Sequence, residues 1–429
     1  MTQPVQATGF TIEQLEIVPL TGIAIDVRPI FEELNLFNSI FIQVQSGNIV
    51  LRDSIELINL LSLDGNEEIR IRIKSDALGG VFSGTFRIYK LDNRLGVRHT
   101  TQVYTLHFVS KPFLVSEKTK SKKFLRMRYS DMWQIFMGEV GAEVGFCIDS
   151  VGVYELAVPL ITPFQAADWV SRRAINPVTT KPDYVTYESP ITGFTFAHLS
   201  YLTSQPPKYV YNFFAKDVNT STLETDYYSI RDWKVLSNFD IEDATQSGVF
   251  GGAFWGFDTM TRTWKKTKYG FEDLYPPCNA HCDAYPNIPE NALTPEGRIA
   301  PPDYADSRWT IHPYQLPRKP NEWINSHNKR LADYAENQHL YVLQRRHSFG
   351  MLKQKRVQTT LPGNFNVASG DVLNFKVPAF VGEKALDPHI SGDYLVTATR
   401  HIIKYDRFET LLEVASDSTP TPRGGSVCG

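Results

Sequence analysis

The densest cluster of residues capable of chemistry is Cys278-Asn279-Ala280-His281-Cys282. Thiolates and imidazole nitrogens are zinc ligands, but a structural zinc site normally takes four ligands and this cluster supplies three. Asp283 adjoins the cluster, whereas His312 is distant in sequence. We predict no metal site and keep Cys278, His281 and Cys282 as the candidate ligands. A local Cys278–Cys282 disulfide and two free thiols are the alternatives.

Catalytic signatures are missing from the sequence. It contains no Walker loop, no G-x-S-x-G elbow, no H-E-x-x-H and no dinucleotide fingerprint. The glycine cluster Gly248–Gly256 is followed by aromatic residues with strand propensity, whereas a phosphate loop leads into a helix N-terminus. Close backbone packing is therefore its predicted use. We predict that the protein is not an enzyme and binds no cofactor.

A basic face alternates with an aliphatic face in one short segment. Ile69, Ile71 and Ile73 alternate with Arg70, Arg72 and Lys74. Period-two alternation predicts a strand whose aliphatic face is buried, so the basic face points outward. We predict that Arg70, Arg72 and Lys74 meet acidic groups at a subunit interface. A solvated face and a face lining a channel for nucleic acid are the alternatives.

Strand patterns open and close the chain, and a mixed region lies between them. The first part, to about Lys111, alternates with period two, with a turn predicted at Ser46-Gly47-Asn48 and a short helix capped by Asp53. Helical spacing follows over residues 130–140 and 162–174, and again over residues 321–346. The last hundred residues return to strands, notably over 371–377, 394–403 and 407–414.

Composition places the chain among folded globular proteins. Its 429 residues allow about three domains of ~150 residues, and 42% of them are hydrophobic. The formal net charge of -3 does not favour nucleic-acid binding. No run approaches ~18 apolar residues, which predicts no membrane anchor. Four cysteines do not make a disulfide framework in a chain of this length, so we expect folding in a reducing cytoplasm.

Two stretches resemble the baseplate central hub proteins of contractile-tail bacteriophages, within the late-control and spike-hub superfamily. The first is Val27–Ile73. Its predicted elements are, in order, a strand, a Gly-centred turn, a strand that ends in Asp, a short helix, a Gly-x-Glu motif and an alternating strand. The second runs from Gly370-Asp371-Val372 through Ser391-Gly392-Asp393-Tyr394-Leu395-Val396 to Arg400-His401 and closes at Glu413-Val414. The positions that match in the first stretch are Gly47, Asp53, Gly65 and Glu67 or Glu68.

The resemblance implies an α+β, β-rich fold with two tail-tube-like β-barrel domains framing a mixed middle region. We therefore expect a first barrel (1–112), an α+β middle domain (113–226), an aromatic β insert contributing to the second barrel (227–270), a Pro-rich loop (271–320), a long helix with the second barrel (321–417) and a flexible tail (418–429).

The resemblance also implies a structural role in the virion after assembly in the host cytoplasm. A homotrimer with two similar barrels per chain offers six quasi-equivalent positions, which would adapt a six-fold tail tube to a three-fold central spike. The implied partners are further copies of the chain, the tube protein, the spike protein and neighbouring baseplate proteins, around a lumen that phage DNA can pass through. A tail-associated cell-wall-degrading or carbohydrate-binding protein is the alternative, and the aromatic insert motivates the carbohydrate-binding function.

Overall fold

The computed structural model describes residues 7–20, 22–61, 63–76, 80–98, 101–213, 222–258, 262–274, 282–283, 285–286, 292–293, 299–300, 304–313, 338–379, 386–387 and 389–420. Strands dominate these ranges and helices are grouped mainly in the middle of the chain. No helix in this part of the chain is long and apolar enough to cross a membrane.

The described residues up to Ser110 form strands with one short α-helix between them. The strands are β1 (Phe10–Val18), β2 (Ile25–Asp26), β3 (Phe31–Ser39), β4 (Ser46–Asp53), β5 (Glu68–Ser75), β6 (Val81–Arg98) and β7 (Thr101–Ser110). A 3-10 turn spans Arg28–Ile30, and helix α1 spans Leu57–Leu61. The predicted Asp53 cap lies further from the helix than expected, since its carboxylate accepts hydrogen bonds from the backbone N–H groups of Ile55 and Leu57.

The middle region is α+β, as the helical spacing predicts. Its elements are α2 (Lys111–Lys118), β8 (Phe124–Met127), α3 (Tyr129–Glu139), β9 (Val144–Cys147), β10 (Tyr154–Ala157), α4 (Pro163–Ser171), β11 (Tyr184–Ser189), β12 (Gly193–His198), α5 (Leu199–Thr203) and β13 (Tyr209–Asn212). Helix α4 begins with a capping box, because Thr162 and Gln165 exchange side-chain to backbone hydrogen bonds of 3.1 and 3.3 Å.

The remaining elements complete the second β-rich part and an insert. They are α6 (Leu223–Tyr227), β14 (Asp232–Ser237), α7 (Ile241–Ser247), β15 (Gly252–Asp258), β16 (Thr263–Tyr269), α8 (Phe271–Leu274), β17 (Tyr285–Pro286), β18 (Ala292–Leu293), β19 (Ile299–Ala300), β20 (Trp309–Pro313), α9 (Gln338–Gln354), β21 (Lys355–Pro362), β22 (Val372–Lys376), β23 (Gly392–Lys404), β24 (Arg407–Ser416) and β25 (Ser418–Thr419).

Three boundary predictions are corrected here. Trp309–Pro313 lies in the predicted Pro-rich loop but forms β20, which pairs in parallel with β15. Only part of the predicted aromatic insert (227–270) joins the main sheet: β14 pairs with β21, whereas β15 and β16 form a separate sheet with β20, in the order β16-β15-β20. Ser418 and Thr419 open the predicted flexible tail but are buried and pair with β17 as β25. These differences from the predicted boundaries arise because the strands pair with residues that are distant in sequence.

The long helix is described only from Gln338, where α9 begins. It runs to Gln354, eight residues past the predicted end at Arg346, because Leu343, Met351 and Leu352 are buried against neighbouring elements and continue the apolar face. The first part of the prediction, residues 321–337, lies outside the described residues.

One mixed sheet of thirteen of the described strands runs through both β-rich parts. Its main path is β14-β21-β24-β23-β3-β4-β7-β6-β5-β1-β2, and β22 and β13 extend it from β23. Strands β3 and β23 join the two halves in antiparallel register from Ser39 opposite Ala398 to Glu33 opposite Lys404. The halves are therefore one continuous hydrogen-bonded layer, although more than 300 residues separate the joining strands.

Charged side chains reinforce this junction. The Glu33 carboxylate lies 3.3 Å from Lys404 Nζ and 3.7 Å from an Arg400 guanidinium nitrogen. Burial raises the pKa of Glu33, but hydrogen bonds from Asn35 and Lys404 outweigh it and hold the pKa below its ordinary value. The carboxylate therefore stays ionised across the junction at neutral pH.

Each half of the sheet covers its own apolar core. The core of the first half contains the buried face of β5 and also takes Phe365, Ile403 and Phe408 from the second half. The second half has a separate core around Tyr211, Leu373, Tyr394 and Leu412. The middle region packs around Trp133, Phe136, Phe164 and Phe196, among others.

Gly47 lies inside β4, so the turn predicted at Ser46-Gly47-Asn48 is wrong. A Cβ at this position would come within 2.4 Å of the Phe108 ring on β7 and 2.5 Å of the Asn35 carbonyl oxygen on β3. A glycine in a strand interior marks such close approaches as well as turns. Gly47 is therefore required for close packing between strands and not for a turn.

Gly47→Ala should destabilise the protein by about 1–3 kcal/mol, because the added methyl group must displace the Phe108 ring and a backbone carbonyl. Gly96→Ala is the matched control, since a Cβ there meets nothing within 4 Å. Urea unfolding of both variants measures the difference. Equal midpoints for Gly47→Ala and the unchanged protein would contradict this packing.

Candidate assembly surfaces

Strand β5 presents the predicted aliphatic and basic faces. Ile69, Ile71 and Ile73 are at most 1% exposed and lie in the first core. Arg70, Arg72 and Lys74 project from the opposite face and are exposed. The alternation therefore identified correctly which face is buried and which is available for contact.

An acidic neighbour within the same chain faces part of this basic surface. Arg72 Nε lies 2.6 Å from Glu13 Oε2 on β1, and Arg70 stands opposite Glu16 in the β1–β5 register. Neither Arg70 nor Lys74 makes a salt bridge to a described residue. An exposed pair such as Arg72–Glu13 stabilises the fold by only ~0–1 kcal/mol. The face thus keeps a net positive charge available to another molecule.

The cysteine cluster is only partly described. Cys278 and His281 lie outside the described residues. Cys282 carries a free thiol. The disulfide and metal alternatives that involve Cys278 stay predictions, because that residue lies outside the described part of the chain. Burial raises the pKa of the Cys282 thiol well above its ordinary value, and the nearby carboxylate of Asp417 adds to the effect. The thiol is therefore protonated at neutral pH in the absence of a bound metal ion.

Within the ranges that the structure describes, no three His, Cys, Asp or Glu side chains are arranged to hold a metal ion.

Asp283 connects the segment after the cysteine cluster to the second half of the main sheet. Its backbone N–H donates to Ser418 Oγ at 2.7 Å, and its Oδ2 accepts from the backbone N–H of Asp393 at 3.1 Å. Gly392 permits this approach, because a Cβ there would lie 2.5 Å from Asp283 Oδ2 and its φ is +136°. Burial and, to a smaller extent, the nearby Asp393 carboxylate raise the pKa of Asp283 to about 7.

Asp283 should make stability fall as pH rises from about 4 to about 7. The unfolded carboxyl ionises near pH ~4, whereas the folded carboxyl holds its proton to about pH 7, so the folded state binds more protons across this window. Asp283→Asn stays neutral and should remove that part of the pH dependence. Urea midpoints at pH 4.5 and 7.5 give the comparison, and an identical pH dependence in both proteins would contradict it.

The aromatic insert has one buried and one exposed face. Phe254 is 1% exposed and packs on Leu343 of α9. On the other face Trp264 and Trp309 are 56% and 57% exposed. Lys266 Nζ lies 5.1 Å from the centre of the Trp255 ring and 4.6 Å from that of Trp309. Exposed aromatic groups of this kind are typical of contact surfaces.

The glycine cluster of the insert packs closely against backbone, as predicted. A Cβ at Gly251 would lie 2.8 Å from the Tyr304 carbonyl carbon, and one at Gly252 would lie 3.0 Å from the Arg308 carbonyl oxygen. These glycines allow residues 304–308 to lie against the sheet. The cluster therefore serves packing in the described structure.

Comparison with known proteins finds phage and prophage tail proteins. The probable baseplate hub protein gp334 of Vibrio phage KVP40 is 35% identical over 68 residues, which is 16% of this chain and 16% of that protein. No family model matches the chain. The sequence similarity is therefore confined to a small part of each protein.

The fold is similar over nearly the whole chain. A tail protein from Neisseria meningitidis aligns with a TM-score of 0.54 at 10% identity, covering 95% of this chain and 97% of that one. The 43 kDa tail protein of prophage MuSo2 from Shewanella oneidensis aligns with a TM-score of 0.53 at 8% identity, covering 96% and 100%. At such identities the likeness is one of fold.

The resemblance to baseplate hub proteins is confirmed by the sequence match and the shared tail-protein fold. The β-rich fold with helices is confirmed as well. The basic face lies on the surface, and its role at an interface stays a prediction.

Proposed function

We propose that this protein is the structural hub of a contractile phage tail baseplate, without enzymatic activity. The observation that carries the proposal is the combination of a tail-protein fold over nearly the whole chain with sequence similarity to a baseplate hub protein. Its place would be the virion tail, after assembly in the host cytoplasm. The tube protein, the spike protein and neighbouring baseplate proteins would be its partners.

The finer part of the proposal is a homotrimer that adapts a six-fold tube to a three-fold spike. Residues 1–112 and the strand-forming part of residues 321–417 would be the two tube-like barrels of each chain. Two separate apolar cores, one beneath each half of the main sheet, support that division. Three chains would then give six similar units around a lumen that DNA can pass through.

Native mass spectrometry of concentrated protein, alone and with its spike protein, should detect three copies of the chain. The reason is that two similar halves per chain match six positions only when three chains assemble. A hexamer, or a monomer under both conditions, would contradict the trimer.

Reversing Arg70, Arg72 and Lys74 to Glu should leave the isolated subunit folded but prevent its incorporation into the baseplate. The three side chains are exposed, so their loss costs the subunit little, whereas charge reversal at an interface is repulsive. Incorporation is measured by detecting the protein in purified particles.

Reversal of Lys118, Lys120 and Lys122, which are exposed and change the net charge equally, is the matched control. Normal incorporation of the Arg70, Arg72 and Lys74 variant into infectious particles would mean that this face is merely solvated.

Carbohydrate binding is the second candidate function, and the exposed Trp264 and Trp309 rings favour it. Under the hub proposal the purified protein should neither cleave peptidoglycan nor bind its soluble fragments. Calorimetric titration with those fragments is the measurement. Binding that Trp309→Ser abolishes, with folding unchanged, would favour the carbohydrate-binding function, and release of fragments would favour an enzyme.

A further inference from the structure

A cleft of 660 Å³ lies where the middle region meets helix α9. The turn that follows helix α4 contributes Arg172 and Arg173 to one wall, and α9 contributes Arg345 and Arg346 to the other. Phe41, which follows β3, lies between the walls, with its ring 6.1 Å from that of Phe349. The cleft therefore combines guanidinium groups with an aromatic surface.

Positive charge exceeds negative charge among the lining residues. They include four arginines and one carboxylate, Asp168, which gives a formal excess of three positive charges. Asp168 Oδ2 lies 2.6 Å from Arg172 Nη2, so this carboxylate is already engaged. Because charges removed from water are stabilised by an opposite charge, this excess favours an anionic partner in the cleft.

The two arginines of α9 are positioned by uncharged acceptors. Arg345 Nη1 donates to the backbone oxygens of Pro182 and Tyr184 at 3.1 and 2.8 Å, and its guanidinium carbon lies 4.3 Å from the centre of the Phe349 ring. Arg346 Nη1 donates to Thr310 Oγ1 at 3.3 Å. These contacts hold the two side chains in place, but the neutral acceptors do not balance their positive charge.

The pKa values of Arg345 and Arg346 also indicate an excess of positive charge in the cleft. Burial and, to a smaller extent, the positive charge of Arg172 lower the pKa of Arg345 to about 10, although Asp168 and Asp183 act in the opposite direction. Burial also lowers the pKa of Arg346, with Arg308 as the next cause. An incoming carboxylate would relieve the repulsion between these cations.

We propose that this cleft binds an acidic segment of another polypeptide, whose carboxylates pair with Arg172 and Arg346 while an apolar side chain packs on Phe41. The planar guanidinium matches a carboxylate through two parallel hydrogen bonds. Phe41 is 47% exposed and offers apolar contact that a free phosphate would not use. The proposal goes beyond the hub function and does not depend on trimer formation.

The test uses the full chain and a fluorescent peptide of repeated Leu-Glu-Glu units, with fluorescence anisotropy as the measurement. A peptide of repeated Leu-Gln-Gln units is the uncharged comparison. Arg172→Gln and Arg346→Gln should each weaken binding about tenfold, the effect of losing a charge-assisted hydrogen bond. Arg128→Gln, which removes an exposed arginine outside the cleft, should leave binding unchanged.

Asp168→Asn gives a readout that damage to the fold would not produce. Removing this carboxylate frees Arg172, so the Glu-containing peptide should bind more tightly than it binds the unchanged protein.

The proposal is overturned if the Glu-containing peptide does not bind, or if the Gln-containing peptide binds equally well. Displacement of the peptide by inorganic phosphate or a single-stranded oligonucleotide at lower concentration would overturn it in favour of a phosphate site. Presence or absence of the protein in particles tests the hub function separately.

Discussion

The pairing of β3 with β23 is the interaction on which the rest of the structure depends. Backbone hydrogen bonds over this register turn two β-rich halves into one layer, and Glu33 strengthens the contact through Arg400 and Lys404. Phe365, Ile403 and Phe408 cross from the second half into the first core. Relative motion of the halves would therefore break strand pairing and core packing together.

The junction also explains how surfaces from distant parts of the chain are brought together. The segment that follows β3 reaches the arginine-lined cleft, where α4 and α9 meet it. Asp283 connects the segment after the cysteine cluster to the start of β23, which belongs to the same layer. A rigid layer with contact surfaces on its periphery suits a protein whose work is to hold other proteins in fixed positions.

Local patterns predicted much of the fold. The alternation around Ile71 identified β5 and its buried face, and Pro163 after Thr162 identified the start of α4, because both signals act over a few residues. Gly47 shows the limit of such signals, since glycine is used both for turns and for close strand packing. Choosing between them requires knowledge of Phe108, which lies on another strand.

Features that depend on distant residues could not be predicted. The β3–β23 register, the parallel pairing of β20 and the Glu13 partner of Arg72 each join segments far apart in sequence. The cleft is likewise invisible in the sequence, because its arginines occur as two unremarkable pairs, 172–173 and 345–346.

A cryo-electron microscopy map of the intact tail tests the hub proposal most directly. The account predicts three copies of this chain in a ring on the tail axis, between the tube and the spike, with the β3–β23 layer continuous in each copy. Six copies, or a position away from the axis, would contradict it.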